Sequence, residues 1–185
     1  MKVYQRNTRE TQIRLALALN DGESANTPTI STGEPFLDHM LVTWARYSGL
    51  ALSVQAAVDL RHHLIEDVAI TLGLALKDQL PEACRRYGHA VVPMDDALVE
   101  AAIDVGGRAY YEGRLPSSLY EHFLRSFADN AAATLHVRVL RGRDRHHVVE
   151  AAIKATALAL RDALVTTDTI FSTKGVVKFD RGNGE

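Results

Sequence analysis

The chain has 185 residues, 46% of them apolar and 24% charged, with 21 basic side chains against 23 acidic ones. That balance belongs to a folded chain with a sizeable core, and a formal charge of −2 gives neither nucleic acid nor an anionic membrane an electrostatic handle. The single cysteine, Cys84, excludes an internal disulfide framework, and no apolar run or leader core approaches a membrane segment, so a soluble cytoplasmic protein is expected.

In chain order, Ile13, Leu15, Leu17 and Leu19 alternate with polar or small residues, which predicts a half-buried strand over 12–19 before the turn at Asn20-Asp21-Gly22. Pro35 opens a helix on Phe36, Met40 and Trp44, spaced by four. Leu50, Leu52 and Val54 return to period two, and Leu64, Val68, Leu72, Leu76 and Leu80 mark a second helix closed by Pro81. Residues 85–93 read as the seam between two halves. The second half then repeats the order: a strand over 97–105, a helix over 119–131, a strand over 135–140, and a helix on Val149, Ile153, Ala157, Leu160 and Leu164.

The repeat extends to residue identity. Asp38-His39-Met40-Leu41 matches Glu121-His122-Phe123-Leu124 at an offset of 83, and His62-His63-Leu64-Ile65-Glu66 matches His146-His147-Val148-Val149-Glu150 at an offset of 84. The expected organisation is one domain, 1–185, made of two repeats at about 1–85 and 86–185, the product of a duplication.

Each His-His-x-x-Glu run places its glutamate three and four residues after the histidines, so on a helix it shares a face with one imidazole while the other points about a quarter-turn away. One run therefore chelates in part and offers a second imidazole to another centre. Such a donor set, nitrogen and oxygen without sulfur, suits a divalent first-row ion rather than a structural zinc knuckle. Asp59 and Asp67 are placed to orient imidazole N–H groups. Ser172-Thr173-Lys174-Gly175 can wrap an anion, Arg86 and Arg108 can hold a phosphate, and Glu10 ends a charged stretch before the first strand. His89 and His122 read as structural, although His122 aligns with His39 in the repeat.

With these residues in view, the sequence resembles the imidazoleglycerol-phosphate dehydratase family over nearly its whole length. Nine collinear blocks carry the resemblance. In the first half they begin at Arg6-Asn7-Thr8-Arg9-Glu10-Thr11, Pro35-Phe36-Leu37-Asp38-His39 and the first His-His run. Next come Arg86-Tyr87-Gly88-His89, Pro93-Met94-Asp95-Asp96 and Gly107-Arg108-Ala109-Tyr110. Leu135-His136-Val137, the second His-His run and Ser172-Thr173-Lys174-Gly175 complete them. Arg61, Leu64, the brief stretch 112–116 and Phe171 depart from the family pattern.

The resemblance implies an α+β fold of internally duplicated βαβ-type halves, like the second domain of ribosomal protein S5, with sheets packed against helices. It implies a lyase of histidine biosynthesis that dehydrates D-erythro-imidazoleglycerol phosphate to imidazoleacetol phosphate through an imidazolate and diazafulvene-type intermediate. It further implies two Mn(II) ions per active site and a homo-oligomer, a 24-mer, with sites shared between subunits. The implied metal ligands are His39, His62, His63, Glu66, His136, His146, His147 and Glu150; Arg86, Arg108, Ser172 and Lys174 would hold the substrate phosphate, and Glu10, Glu66 and Glu150 would move protons. Two other readings of the same residues are a dinuclear hydrolase of a small phosphate ester and a non-catalytic protein whose metals staple subunits together.

Overall fold

In the computed structural model, residues 1–19, 27–58 and 60–170 are described. The first half runs β1 (Lys2–Asn7), β2 (Thr11–Ala18), β3 (Thr29–Ser31), α1 (Pro35–Ser48), β4 (Ala51–Val58) and α2 (Arg61–Gln79). The second repeats it as β5 (Tyr87–Met94), β6 (Ala97–Asp104), β7 (Tyr110–Gly113), α3 (Ser118–Ala131), β8 (Thr134–Arg141) and α4 (Arg145–Ala163). Each half forms a four-stranded sheet of the same order, β1-β2-β4-β3 and β5-β6-β8-β7. In both, an antiparallel hairpin is joined to a parallel pair whose crossover is a helix, so a βαβ unit forms one side of each sheet with β3 or β7 at its edge.

The strands alternate cleanly: Thr11, Ile13, Leu15 and Leu17 are buried while Gln12 and Arg14 are exposed. One face of each sheet is thus open, and the helices cover the other. Leu64, Ile65, Val68, Ala69, Leu72, Ala75 and Leu76 form one broad buried stripe of α2, with Leu74 exposed on the far side. α2 packs on β2 and against α3, while α4 packs on β5 and β6 and against α1, an exchange that follows the pseudo-twofold relation of the halves. Gly73 permits the α2–α3 approach, since a Cβ there would lie 2.6 Å from the Phe127 carbonyl oxygen. Among the described residues no helix is long and apolar enough to cross a membrane.

Residues 85–93 hold the crossing between the halves only at Arg85 and Arg86. The remainder is most of β5, whose Gly88 lies so close to α4 that a Cβ would fall 1.8 Å from the Ala159 carbonyl oxygen. Gly88 and Pro93 interrupt the apolar alternation and hide the strand in the sequence. The chain passes between the halves before it, and Arg86 turns it with a left-handed backbone, φ 72°, held by its N–H on the Ala163 carbonyl.

Candidate metal and substrate site

The two His-His runs begin α2 and α4. α4 is capped by Asp144, whose carboxylate accepts from the N–H groups of His146 and His147. α1 begins with Pro35 at its first turn and Glu34 as cap, Glu34 accepting from Leu37 N–H at 2.6 Å. Arg61 pairs with this same Glu34 at 2.9 Å and so ties the start of α2 to the start of α1.

Two clusters follow from that arrangement, each built from both halves. In one, Glu150 Oε2 lies 3.1 Å from His146 Nε2 on its own helix and 3.2 Å from His39 Nε2 on α1; the two rings stack with centroids 5.9 Å apart. In the other, Glu66 lies 3.7 Å from His62 Nε2 and 3.3 Å from His122 Nε2 on α3, with the rings stacked at 5.3 Å. Within each trio one donor atom per residue falls within 4.8 Å of the others. The second cluster is the first transformed by the repeat, α1 with α4 becoming α3 with α2.

The donors fit a divalent ion. His122 Nε2 is buried without a hydrogen-bond partner and is aimed at Glu66 Oε1, an orphaned lone pair or N–H that a ligated ion would satisfy. Imidazole and carboxylate without thiolate is the donor set of manganese, iron or zinc in a catalytic setting. Glu150 is 6% exposed. Burial disfavours its charge, but hydrogen bonds from Lys154, at 2.8 Å, and from His39 outweigh that and hold its pKa below the ordinary glutamate value.

The second histidine of each run points elsewhere, as helical rotation requires. His63 Nδ1 lies 3.5 Å from Glu10 Oε2, and His147 Nδ1 lies 2.7 Å from Asp96 Oδ1. Asp96 raises the pKa of His147, and its own is held down to about 2 by that imidazole and by the N–H groups of Arg143 and Asp144.

His136 belongs to neither cluster. It stands on β8 between the buried Leu135 and Val137, so strand alternation sends it to the open face of the second sheet, beside the Tyr110 ring and in a groove of about 590 Å³ with Glu112 and Arg138. His122, read from the sequence as structural, occupies the clustered position instead; its match to His39 in the repeat was the signal. Asp67 does not reach an imidazole, being bonded to Arg6 and Thr11, and His89 pairs with Glu100 at 3.3 Å. Lys154 and Asp96 were not singled out in the sequence. Lys154 is four residues after Glu150, a helical ion-pair spacing that could have pointed to it; Asp96 stands in the Pro93-Met94-Asp95-Asp96 block, which was the signal for it.

Among the described residues, the anion-binding candidates Arg86 and Arg108 lie far from the clusters. Arg86 donates from Nε and Nη2 to Asp104 at 2.6 and 3.0 Å, with Gly107 and hence Arg108 beside the pair. This group sits at the C-terminal ends of α2 and α4, where Leu80 meets Gly106 and Arg86 bonds Ala163. Both clusters sit at the opposite ends, about 25 Å away along either helix. Ser172 and Lys174, like Asp59 and Phe171, lie outside the described residues.

A duplicated α+β fold with two helix-borne imidazole–carboxylate trios, each assembled across the halves, defines a narrow class of protein. The family model for imidazoleglycerol-phosphate dehydratase matches residues 32–160. An imidazoleglycerol-phosphate dehydratase from Anaeromyxobacter sp. (strain K) is 45% identical over 190 aligned positions, covering 93% of this chain and 89% of that protein. One from Deinococcus radiodurans is 44% identical, covering 92% and 95%. The crystal structure of the Pyrococcus furiosus enzyme superposes with a TM-score of 0.83 at 39% identity, over 94% of this chain and all of that one. The Staphylococcus aureus enzyme gives 0.78 at 31% identity, over 90% and 100%. The chain belongs to the imidazoleglycerol-phosphate dehydratase family.

Proposed function

We propose that this chain, loaded with two Mn(II) ions per active site and assembled into a homo-oligomer, removes water from D-erythro-imidazoleglycerol phosphate to give imidazoleacetol phosphate in histidine biosynthesis. Family membership favours this reaction over phosphate-ester hydrolysis or a purely structural metal role. The observation that carries the metal-dependent reading is the pair of trios, His39–His146–Glu150 and His62–His122–Glu66, with the buried Nε2 of His122 making no hydrogen bond and facing Glu66 Oε1 at 3.3 Å.

Bound there, the ions would supply Lewis acidity that favours the anionic form of the substrate imidazole, which compensates for the absence of a carbonyl beside the carbon that loses its proton. The chain's own residues supply the rest. His39, His62, His122 and His146 with Glu66 and Glu150 hold the ions; His63 and His147, aimed away from their own trios, would complete sites on neighbouring copies. Glu10 moves the proton from carbon and assists the departing hydroxide, while Lys154 keeps Glu150 ionised and committed to binding. Arg86 and Arg108 would hold the phosphate with Ser172 and Lys174.

The distance between the arginines and the clusters supports assembly. A phosphorylated three-carbon imidazole cannot span about 25 Å, so the two parts serve one substrate only when different copies meet. The experiment is to strip the protein of metal, restore Mn(II), and follow substrate by NMR. Conversion to the ketone imidazoleacetol phosphate by the restored protein alone is expected; release of inorganic phosphate, or no conversion by metallated, assembled protein, would refute the reading.

A further inference from the structure

Asp67 follows Glu66 on α2, yet a one-residue step turns it about 100° from the metal trio. Asp67 is 8% exposed, and its carboxylate accepts from Arg6 Nε and Nη2 on β1, at 3.0 and 2.9 Å, and from Thr11 Oγ1 on β2. A single buried carboxylate thus holds both strands of the first hairpin against the helix that carries His62, His63 and Glu66. The turn between those strands is closed by Thr8, whose N–H donates to the Thr11 carbonyl at 2.9 Å and whose Oγ1 accepts from Glu10 N–H at 3.1 Å and Thr11 N–H at 2.9 Å. Glu10 rides on this turn.

The second half solves the same problem differently. At the position matching Asp67 stands Ala151, and the turn carboxylate Asp96 is itself hydrogen-bonded to His147 and to the backbone of Arg143 and Asp144. One turn carboxylate is immobilised directly. The other is left 58% exposed at ion-pair distance from His63, while the turn beneath it is clamped.

We propose that Asp67 is a positioning residue for Glu10: through Arg6 and Thr11 it fixes the turn so that the Glu10 carboxylate stays free to move a proton yet held in register with the histidine helix. The proposal rests on the reading of Glu10 as the proton-moving group. Placement errors of an ångström at a reacting group cost on the order of 100-fold in rate, so the clamp has a measurable consequence.

The test is a double-mutant cycle on metal-loaded, assembled protein, with kcat, KM and bound Mn(II) measured for Glu10→Gln, Asp67→Asn, Thr11→Val and the Glu10→Gln/Asp67→Asn pair. Thr11→Val removes only one hydroxyl and covers the case in which Asp67→Asn does not fold. The expected result is a kcat lowered about 10- to 100-fold by Asp67→Asn and lowered by Thr11→Val, with KM and metal content unchanged and the double variant no slower than Glu10→Gln alone. Multiplying effects in the double variant, or loss of metal on removing the clamp, would overturn the positioning role while leaving Glu10 intact. Full turnover by Glu10→Gln would instead refute the reading of Glu10, and the proposal with it.

Discussion

The Nε2 of His122, on the third helix, lies 3.3 Å from Oε1 of Glu66, on the second, and so joins the two halves of the chain at one point. His39 and Glu150 make the reciprocal junction at 3.2 Å. Duplication has thus produced two equivalent crossings, each adding one histidine from one half to a His–Glu pair of the other.

His122→Ala should therefore remove a ligand, lowering Mn(II) affinity at that cluster by at least about 100-fold, the upper range for losing even an outer partner of a ligand. His136→Ala should leave the metal content unchanged. Elemental analysis of both variants after dialysis distinguishes the two histidines.

Lys154 is 14% exposed and shares Glu150 with the cluster, donating also toward the Met94 sulfur at 3.1 Å. Lys154→Met should destabilise metal-free protein by about 3 kcal/mol, because it strands a buried carboxylate. The loss should be smaller in metal-loaded protein, where the ion compensates Glu150. Denaturant unfolding with and without Mn(II) reads the difference.

If neighbouring copies share sites, two inactive variants can rescue one another. Arg86→Ala and His62→Ala proteins, each inactive alone, should recover part of the wild-type rate after being dissociated together and reassembled. A mixture that stays inactive would mean that arginine and histidine serve within one chain, which a separation of about 25 Å along the helix opposes.

Lys2 and Tyr4 both bond Asp78 near the end of the second helix, at 2.5 and 2.7 Å. Their hydrogen bonds hold Asp78 below its ordinary pKa, and the bond to Asp78 raises that of Lys2. A lowered carboxylate pKa stabilises the fold above the unfolded value of 3.8 and loses that effect as pH falls; a raised lysine pKa stabilises below 10.5 and loses it as pH rises. The stability difference between wild type and Asp78→Asn should be flat between those limits and shrink outside them, as pH-dependent unfolding would record.

The long helices were legible because their buried positions recur every four residues, and the histidine pairs because the repeat duplicates them. The edge strands were not. Lys2–Asn7 has no apolar alternation, Thr29–Ser31 is only three residues long, and Tyr87–Met94 is broken by Gly88 and Pro93. His136 sits in a familiar Leu-His-Val block, which drew attention to the open sheet face, whereas the repeat offset already paired His122 with His39. Asp67 has the right neighbours in sequence to support an imidazole, but only the helix rotation shows that it faces the hairpin instead.

The central claim is that both trios must be filled for dehydration to occur. Initial rate of imidazoleglycerol phosphate dehydration, measured against Mn(II) equivalents added per chain to metal-free protein, tests it most directly. The account predicts no turnover without metal and a rate that reaches its plateau only at two equivalents. Turnover by metal-free protein, or a plateau at one equivalent, would contradict it.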